Sequence, residues 1–212
     1  MILIAGLGNT GKEYENTRHN AGFMLLDLLI NILDGRAYNF ALVPPKLQNI
    51  LDIFPFDDYK TKSNISKPTF KGELIKYGDN LLLLKPHTYM NASGQSILAV
   101  KNYYKCDNLI VLHDDIDLKL GDLRIKKGGG NGGHNGLKNI DLLCGSDYTR
   151  IRIGIDKPLN KDIANFVLDK FNQNELDILQ NPFAHGLLAL LELINGASIV
   201  DVNNKFNLSS KR

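Results

Sequence analysis

Cysteine is scarce. Two residues in 212, Cys106 and Cys144, make no disulfide framework and lack metal-ligand spacing, which suits a reducing compartment. Charge of one sign is scarce too: 25 basic against 23 acidic residues leave a formal +2, so any surface for nucleic acid must be local. Long hydrophobic runs are missing. The longest, Gly186 to Ile194, contains Glu192 and falls short of a membrane span. No basic segment precedes the apolar start, and Gly6 cuts that run short, which argues against a signal peptide. No internal repeat is visible. The remainder, 43% hydrophobic and 23% charged, reads as a soluble cytoplasmic protein forming one domain over residues 1–212.

Glycine, by contrast, is present where it carries information. Gly6 to Gly22 reads GLGNTGKEYENTRHNAG and follows the apolar run Met1–Ala5, which predicts a buried first strand. The segment crowds Asn9, Tyr14, His19 and Asn20 into a loop too irregular to be core. Ligand sites of open α/β sheets lie at such strand tips. Helical spacing follows over Ala21–Leu33. Residues 35–69 hold Pro44-Pro45, Pro55 and Ser63-Asn64 and are expected to form a long, partly ordered insertion with a peripheral structural role. Phe70–Tyr77 and Leu81–Lys85 flank Gly78-Asp79-Asn80 as a hairpin. A helix over Ser93–Tyr104, strands near Leu109–Leu112, Leu123–Lys126 and Tyr148–Ile155, and helices near Leu137–Leu143, Lys161–Leu168 and Gln173–Ile194 complete the pattern. A frayed, basic tail is expected over residues 203–212. The fold class is α/β: a twisted mixed sheet with helices on both faces.

Four polar loops recur at strand ends, at residues 9–19, 87–91, 113–117 and 128–135. Mainly parallel strands would converge these loops on one edge. His19 can act as a base near neutral pH, with the Asp114 carboxylate holding its other ring nitrogen. Asn9 and Asn91 offer amides for positioning a substrate or stabilising an oxyanion. Other chemistries fit less well. Gly6-Leu7-Gly8-Asn9-Thr10-Gly11 satisfies a dinucleotide fingerprint, but residues 12–18 do not continue as an apolar-faced helix. Asp114, Asp115 and Asp117 could bind a hard cation, a reading made unnecessary by a histidine base. No G-x-S-x-G elbow occurs, and neither cysteine has a nearby His and Asn arrangement. The glycine run 128–136, flanked by Lys126, Lys127, Arg150 and Arg152, reads either as a flexible linker or as a phosphate-binding surface.

These blocks together, GLGNTGKEYENTRHNAG, PHTYMNASG, VLHDDIDLKLG, KKGGGNGGHNGLK and RIRIGID, closely resemble the bacterial peptidyl-tRNA hydrolases. The resemblance covers Met1 to about Phe171 outside the insertion. It implies a monomeric esterase, free of metal and cofactor, which cleaves the ester joining a peptide to the 3′ end of tRNA. It further implies His19 as the base that activates water, oriented by Asp114. Asn9 and Asn91 would position the substrate, and Asn135 would contact the peptide backbone and the water. Tyr14 and Met90 would line the site and His134 would stand on its rim, while Lys126 and Arg152 would clamp the tRNA 5′-phosphate. The partner implied is peptidyl-tRNA through its acceptor stem and 3′ end, with no membrane. Three departures stand out: Thr10 where proline is common, Asn131 in place of a frequent histidine, and the length of residues 35–69.

Overall fold

The computed structural model describes residues 1–36, 45–158 and 162–209. In chain order the elements are β1 (Ile2–Gly6), α1 (Ala21–Leu33), α2 (Pro45–Ile53), β2 (Lys62–Ile65), β3 (Gly72–Tyr77), β4 (Leu81–Pro86) and α3 (Ser93–Tyr104). There follow β5 (Asn108–Asp115), β6 (Leu123–Lys127), α4 (Asn135–Cys144), β7 (Thr149–Gly154), α5 (Ile163–Leu168), α6 (Gln173–Ile194) and α7 (Ile199–Phe206). The described strands form one seven-stranded sheet in the order β2-β3-β4-β1-β5-β7-β6. β4, β1, β5 and β7 run parallel, while β3 and β6 pair antiparallel with β4 and β7, so the sheet is mixed as expected.

The central strands read as unbroken apolar runs because both faces are covered. Ile4, Leu83 and Leu112 face a layer built from α1, α2, α6 and α7, whereas Leu3, Leu84 and Val111 face α3 and α4. Each fully buried leucine contributes roughly 1.5–3 kcal/mol, so this double layer dominates the stability. The segment expected to be peripheral is partly built into it. Its α2 buries Leu47 and Ile50 against the first layer, and its β2 extends the sheet beyond β3. The start of that segment, residues 37–44, lies outside the described residues.

The expectation of a frayed tail over residues 203–212 is overturned for residues 203–209, while residues 210–212 lie outside the described residues. The periodicity of Val202 and Phe206 buries both under β6, so α7 runs through Phe206. Leu208 then exchanges backbone hydrogen bonds with Leu123, and Asn207 Oδ1 accepts from Ile125 N at 2.8 Å. This covers the outer edge of β6, where unpaired backbone groups would otherwise face solvent.

The tip of β1 is fastened to α1 through Gly22. Leu7 N donates to Leu112 O at 2.9 Å, and Phe23 N donates to Leu7 O at 3.1 Å. A Cβ on Gly22 would meet Leu112 O and would lie 2.6 Å from Leu7 N. Backbone on both sides leaves no flexible group to give way. Gly22→Ala is therefore expected to destabilise the protein by about 3 kcal/mol or more, the upper end for overpacking. An unchanged urea midpoint would show that this contact is not tight.

Candidate active site

Because β1, β4 and β5 are parallel, their C-terminal ends share one edge of the sheet and deliver three of the four polar loops there. The fourth arrives by a different route. β6 is antiparallel to β7 and its Lys127 end lies at the opposite edge, beside Thr149. The glycine run then crosses back along the sheet to start α4 at His134 and Asn135. Arg150 fixes that crossing. It is buried, donates to the Gly129 and Gly130 carbonyls at 2.8 and 2.7 Å, pairs with Asp141 at 3.1 Å and lies over the Tyr148 ring. Arg150 is thus no surface cation, and the run is no loose linker.

His19 sits in a 3₁₀ turn, residues 18–20, directly before α1. Its Nδ1 lies 3.0 Å from both carboxylate oxygens of Asp114, which is 1% exposed at the end of β5. A second histidine shares that carboxylate, with His134 Nε2 3.0 Å from Asp114 Oδ1. The protons follow from the partners. His134 Nδ1 accepts from the Gly136 and Leu137 backbone N–H groups, so its proton is on Nε2 and is donated to Asp114. His19 likewise donates from Nδ1, which leaves its Nε2 lone pair free. Burial alone pushes His19 down, but the charge and hydrogen bond of Asp114 outweigh it and raise its pKa above 6.5. Burial alone would push Asp114 up, but the two histidines hold it far below the carboxylate range. Behind them His113 donates Nδ1–H to its neighbour's carbonyl at 2.7 Å, and burial first, then His134, push it down to about 3.

Asn9 is held on three sides. Its backbone N–H donates to Asn20 Oδ1 at 2.8 Å, its carbonyl accepts from Asn20 Nδ2 at 3.0 Å, and its own Oδ1 accepts from Met90 N at 2.8 Å. That last bond fixes the amide orientation and turns Nδ2, a donor, away from the backbone. Asn20 stands at the N-cap of α1 without capping it, its side chain being committed to Asn9. The Met90 N–H is aimed by Tyr89, whose φ of 54° is a conformation rare for a bulky residue.

Two cavities meet at His19. One, of about 360 Å³, is lined by His19, Asp114, Asp115, the 131–135 turn and the α5 residues Ile163, Ala164 and Val167. The second, of about 260 Å³, is lined by Asn9, His19, Tyr89, Met90, Asn91, Asn135, Ala164, Val167 and Leu168. The expected residues Asn9, Met90, Asn91, His134 and Asn135 are therefore brought together with His19 and Asp114. Tyr14 approaches through an edge-on contact with Tyr89, ring centroids 6.4 Å apart. Tyr89 and the α5 wall were not singled out from sequence, and Asn20 was noted in its loop without a role. Asn20 stood in plain view in the Thr-Arg-His-Asn segment, while α5 is too short for its apolar spacing to be informative.

Lys126 and Arg152 lie on the neighbouring strands β6 and β7, Lys126 opposite Arg150 and Arg152 opposite Arg124. Arg152 Nε bonds Asp115 Oδ2 at 2.7 Å. Burial, then the charges of Arg152 and Arg150, push Lys126 down, as like charges held together do. The three carboxylates weighed as a cation site diverge: Asp114 turns to the histidines, Asp115 to Arg152, and Asp117 to Lys157 at 3.7 Å. Among the described residues, His19, Asp114 and His134 have ligand atoms within 4.8 Å of one another. A metal there would displace both ring N–H donors, and His134 could free Nε2 only by turning an Nδ1–H against two backbone N–H groups.

A mixed α/β sheet that gathers a histidine–carboxylate pair and side-chain amides at its parallel edge has the layout of a hydrolase site. The comparisons narrow this further. The model of the family described as peptidyl-tRNA hydrolase matches residues 3–212. The peptidyl-tRNA hydrolase of Campylobacter jejuni subsp. doylei is 48% identical over 99% of this chain and 100% of its own length. That of Wolinella succinogenes is 44% identical over 92% of this chain and 88% of its own. The crystal structure of peptidyl-tRNA hydrolase from Acinetobacter baumannii superposes with a TM-score of 0.79 at 32% identity, covering 99% of this chain and 96% of that one. This chain belongs to the peptidyl-tRNA hydrolase family. The dinucleotide reading falls with that finding, and Gly11 leads into a short 3₁₀ turn, not a phosphate-binding helix. No described helix is long and apolar enough to cross a membrane.

Proposed function

We propose that this protein hydrolyses the ester between a peptide and the 3′-terminal ribose of tRNA, with His19 as the general base. The observation that carries the mechanism is the direction of the His19 ring: Nδ1 is bound to Asp114, so Nε2 faces the cleft with its lone pair free. Nε2 takes a proton from water as the water oxygen attacks the ester carbonyl. The carbonyl oxygen becomes an oxyanion, met by the Asn9 Nδ2 donor and by the Asn91 amide. Collapse breaks the bond to the ribose 3′-oxygen, which receives the proton back from His19. The products are free peptide acid and tRNA. Asp114 stays ionised throughout and stabilises the transient imidazolium. Asn135, between both cavities, is placed to recognise the peptide amide, which would leave its partner unpaired in a free aminoacyl-tRNA. The test is release of the blocked amino acid from N-acetyl-aminoacyl-tRNA beside unblocked aminoacyl-tRNA. Cleavage of the blocked substrate alone supports this reading, and equal cleavage of both, or of neither, sinks it.

Lys126 and Arg152 are assigned to the tRNA phosphates. Lys126→Ala is expected to raise KM and to reduce the slope of log affinity against log salt by about 1. A salt slope that stays the same places the phosphate contacts elsewhere. No step draws on a metal, so prolonged treatment with EDTA is expected to leave turnover unchanged. Loss of activity that Mg²⁺ restores would contradict that.

A further inference from the structure

Arg18 precedes His19 in the same 3₁₀ turn and is buried, its side chain 9% exposed. Its guanidinium does not face the cleft. Nη1 donates to the carbonyls of Phe166, Asp169 and Lys170 at 3.5, 3.3 and 3.3 Å. Nη2 pairs with Glu175 Oε1 at 2.7 Å, and the guanidinium lies 4.3 Å above the Phe166 ring. Backbone bonds follow the same path, Arg18 N to Asp169 O at 3.1 Å and Phe171 N to Asn16 O at 2.9 Å. Glu175 is itself held, since its Oε2 accepts from Asn172 N at 2.7 Å in the capping box of α6.

One buried cation thus joins three things: the turn that carries His19, the end of α5, and the start of α6. α5 is also the wall of the cleft, with Ala164 and Val167 lining both cavities. A buried ion pair is a poor device for stability alone, because an apolar pair of similar volume usually does as well. What it supplies is geometry, and the planar fork of arginine suits several carbonyls at once where lysine does not. We infer that Arg18 is a positioning residue that fixes the α5 wall at a set distance from His19, and so shapes the space for the acyl group. This rests on the function proposed above. The apolar body of Phe166 beneath the guanidinium makes the arrangement stiff, and Glu175 keeps the charge from being stranded.

The experiment uses Glu175→Gln and Arg18→Lys in the full chain, with two readouts. Hydrogen exchange of the amides of residues 163–169 is expected to quicken in both variants. On N-acetyl-aminoacyl-tRNA, KM is expected to rise about tenfold while kcat stays within about twofold and the pH midpoint is unmoved. An unchanged KM with a lower melting temperature makes Arg18 a strut of the fold and overturns the inference. A fall in kcat at constant KM overturns it too, by moving the effect onto His19. If Arg18→Lys fails to fold, Glu175→Gln still decides, since it leaves the arginine in place. A wild-type protein that cleaves nothing refutes the function itself, while the exchange readout still decides whether Arg18 holds α5.

Discussion

His19→Ala is expected to lower kcat on N-acetyl-aminoacyl-tRNA by about 10²–10⁴, the usual contribution of a general base. KM should move little, because the ring is one lining group among many in two cavities. The fold should survive. His19 hydrogen-bonds through a single ring nitrogen, and the turn that carries it is pinned by Arg18 and by the Gly22 contact. Removing it does leave Asp114 with one donor fewer, but His134 still satisfies the carboxylate. A melting temperature within a few degrees of wild type, with turnover nearly abolished, is the expected pair of results. Turnover within about tenfold of wild type would mean that another group takes the proton, and the proposed mechanism would fail.

Asp114→Asn is expected to lower kcat/KM by about 10²–10³, for a reason visible in the hydrogen-bond partners. The aspartate accepts from both His19 and His134 and donates to neither. An asparagine has one accepting oxygen, so in either orientation its NH₂ group faces a ring N–H. Relief by rotating the His19 proton to Nε2 abolishes the base. The pH profile gives a second reading. Base catalysis requires neutral His19, so activity in the wild type falls as pH drops through the His19 pKa, which lies above 6.5. The substitution removes the charge that raises it and leaves the burial that lowers it. The acid limb should therefore shift to lower pH. A limb that stays in place would show that Asp114 does not set the His19 pKa. Unchanged kcat/KM would show that it does not set the tautomer.

Much of this arrangement was legible in the chain. Apolar runs long enough to be buried on both faces marked β1, β4 and β5, and the polar residues stacked after them marked the site edge. His19 and Asp114 could be paired because both follow such strands. What escaped detection depends on direction and cover. Arg150 and Arg152 alternate identically along β7, yet one lies under the glycine crossing and the other beside Asp115. Period-2 spacing tells which face a residue takes and says nothing of what lies above it. The antiparallel course of β6 was equally silent, as was the cleft wall, because α5 has only six residues. The order of residues 203–209 escaped notice because polar residues there outnumber Phe206, which together with Val202 decides the burial of α7.

The strand order has a kinetic side. β1 is flanked by β4 and β5, so Ile2 lies between Leu81 and Asn108, partners far along the chain. Closing loops of that length costs entropy before any contact is made, and such non-local pairing slows folding. The β3–β4 hairpin is local and can form early. β1 must wait, and with it the loop that it carries to His19. The His19–Asp114 pair therefore depends on strand pairings of long sequence separation, β1 with β4 and β5, and cannot form before they close.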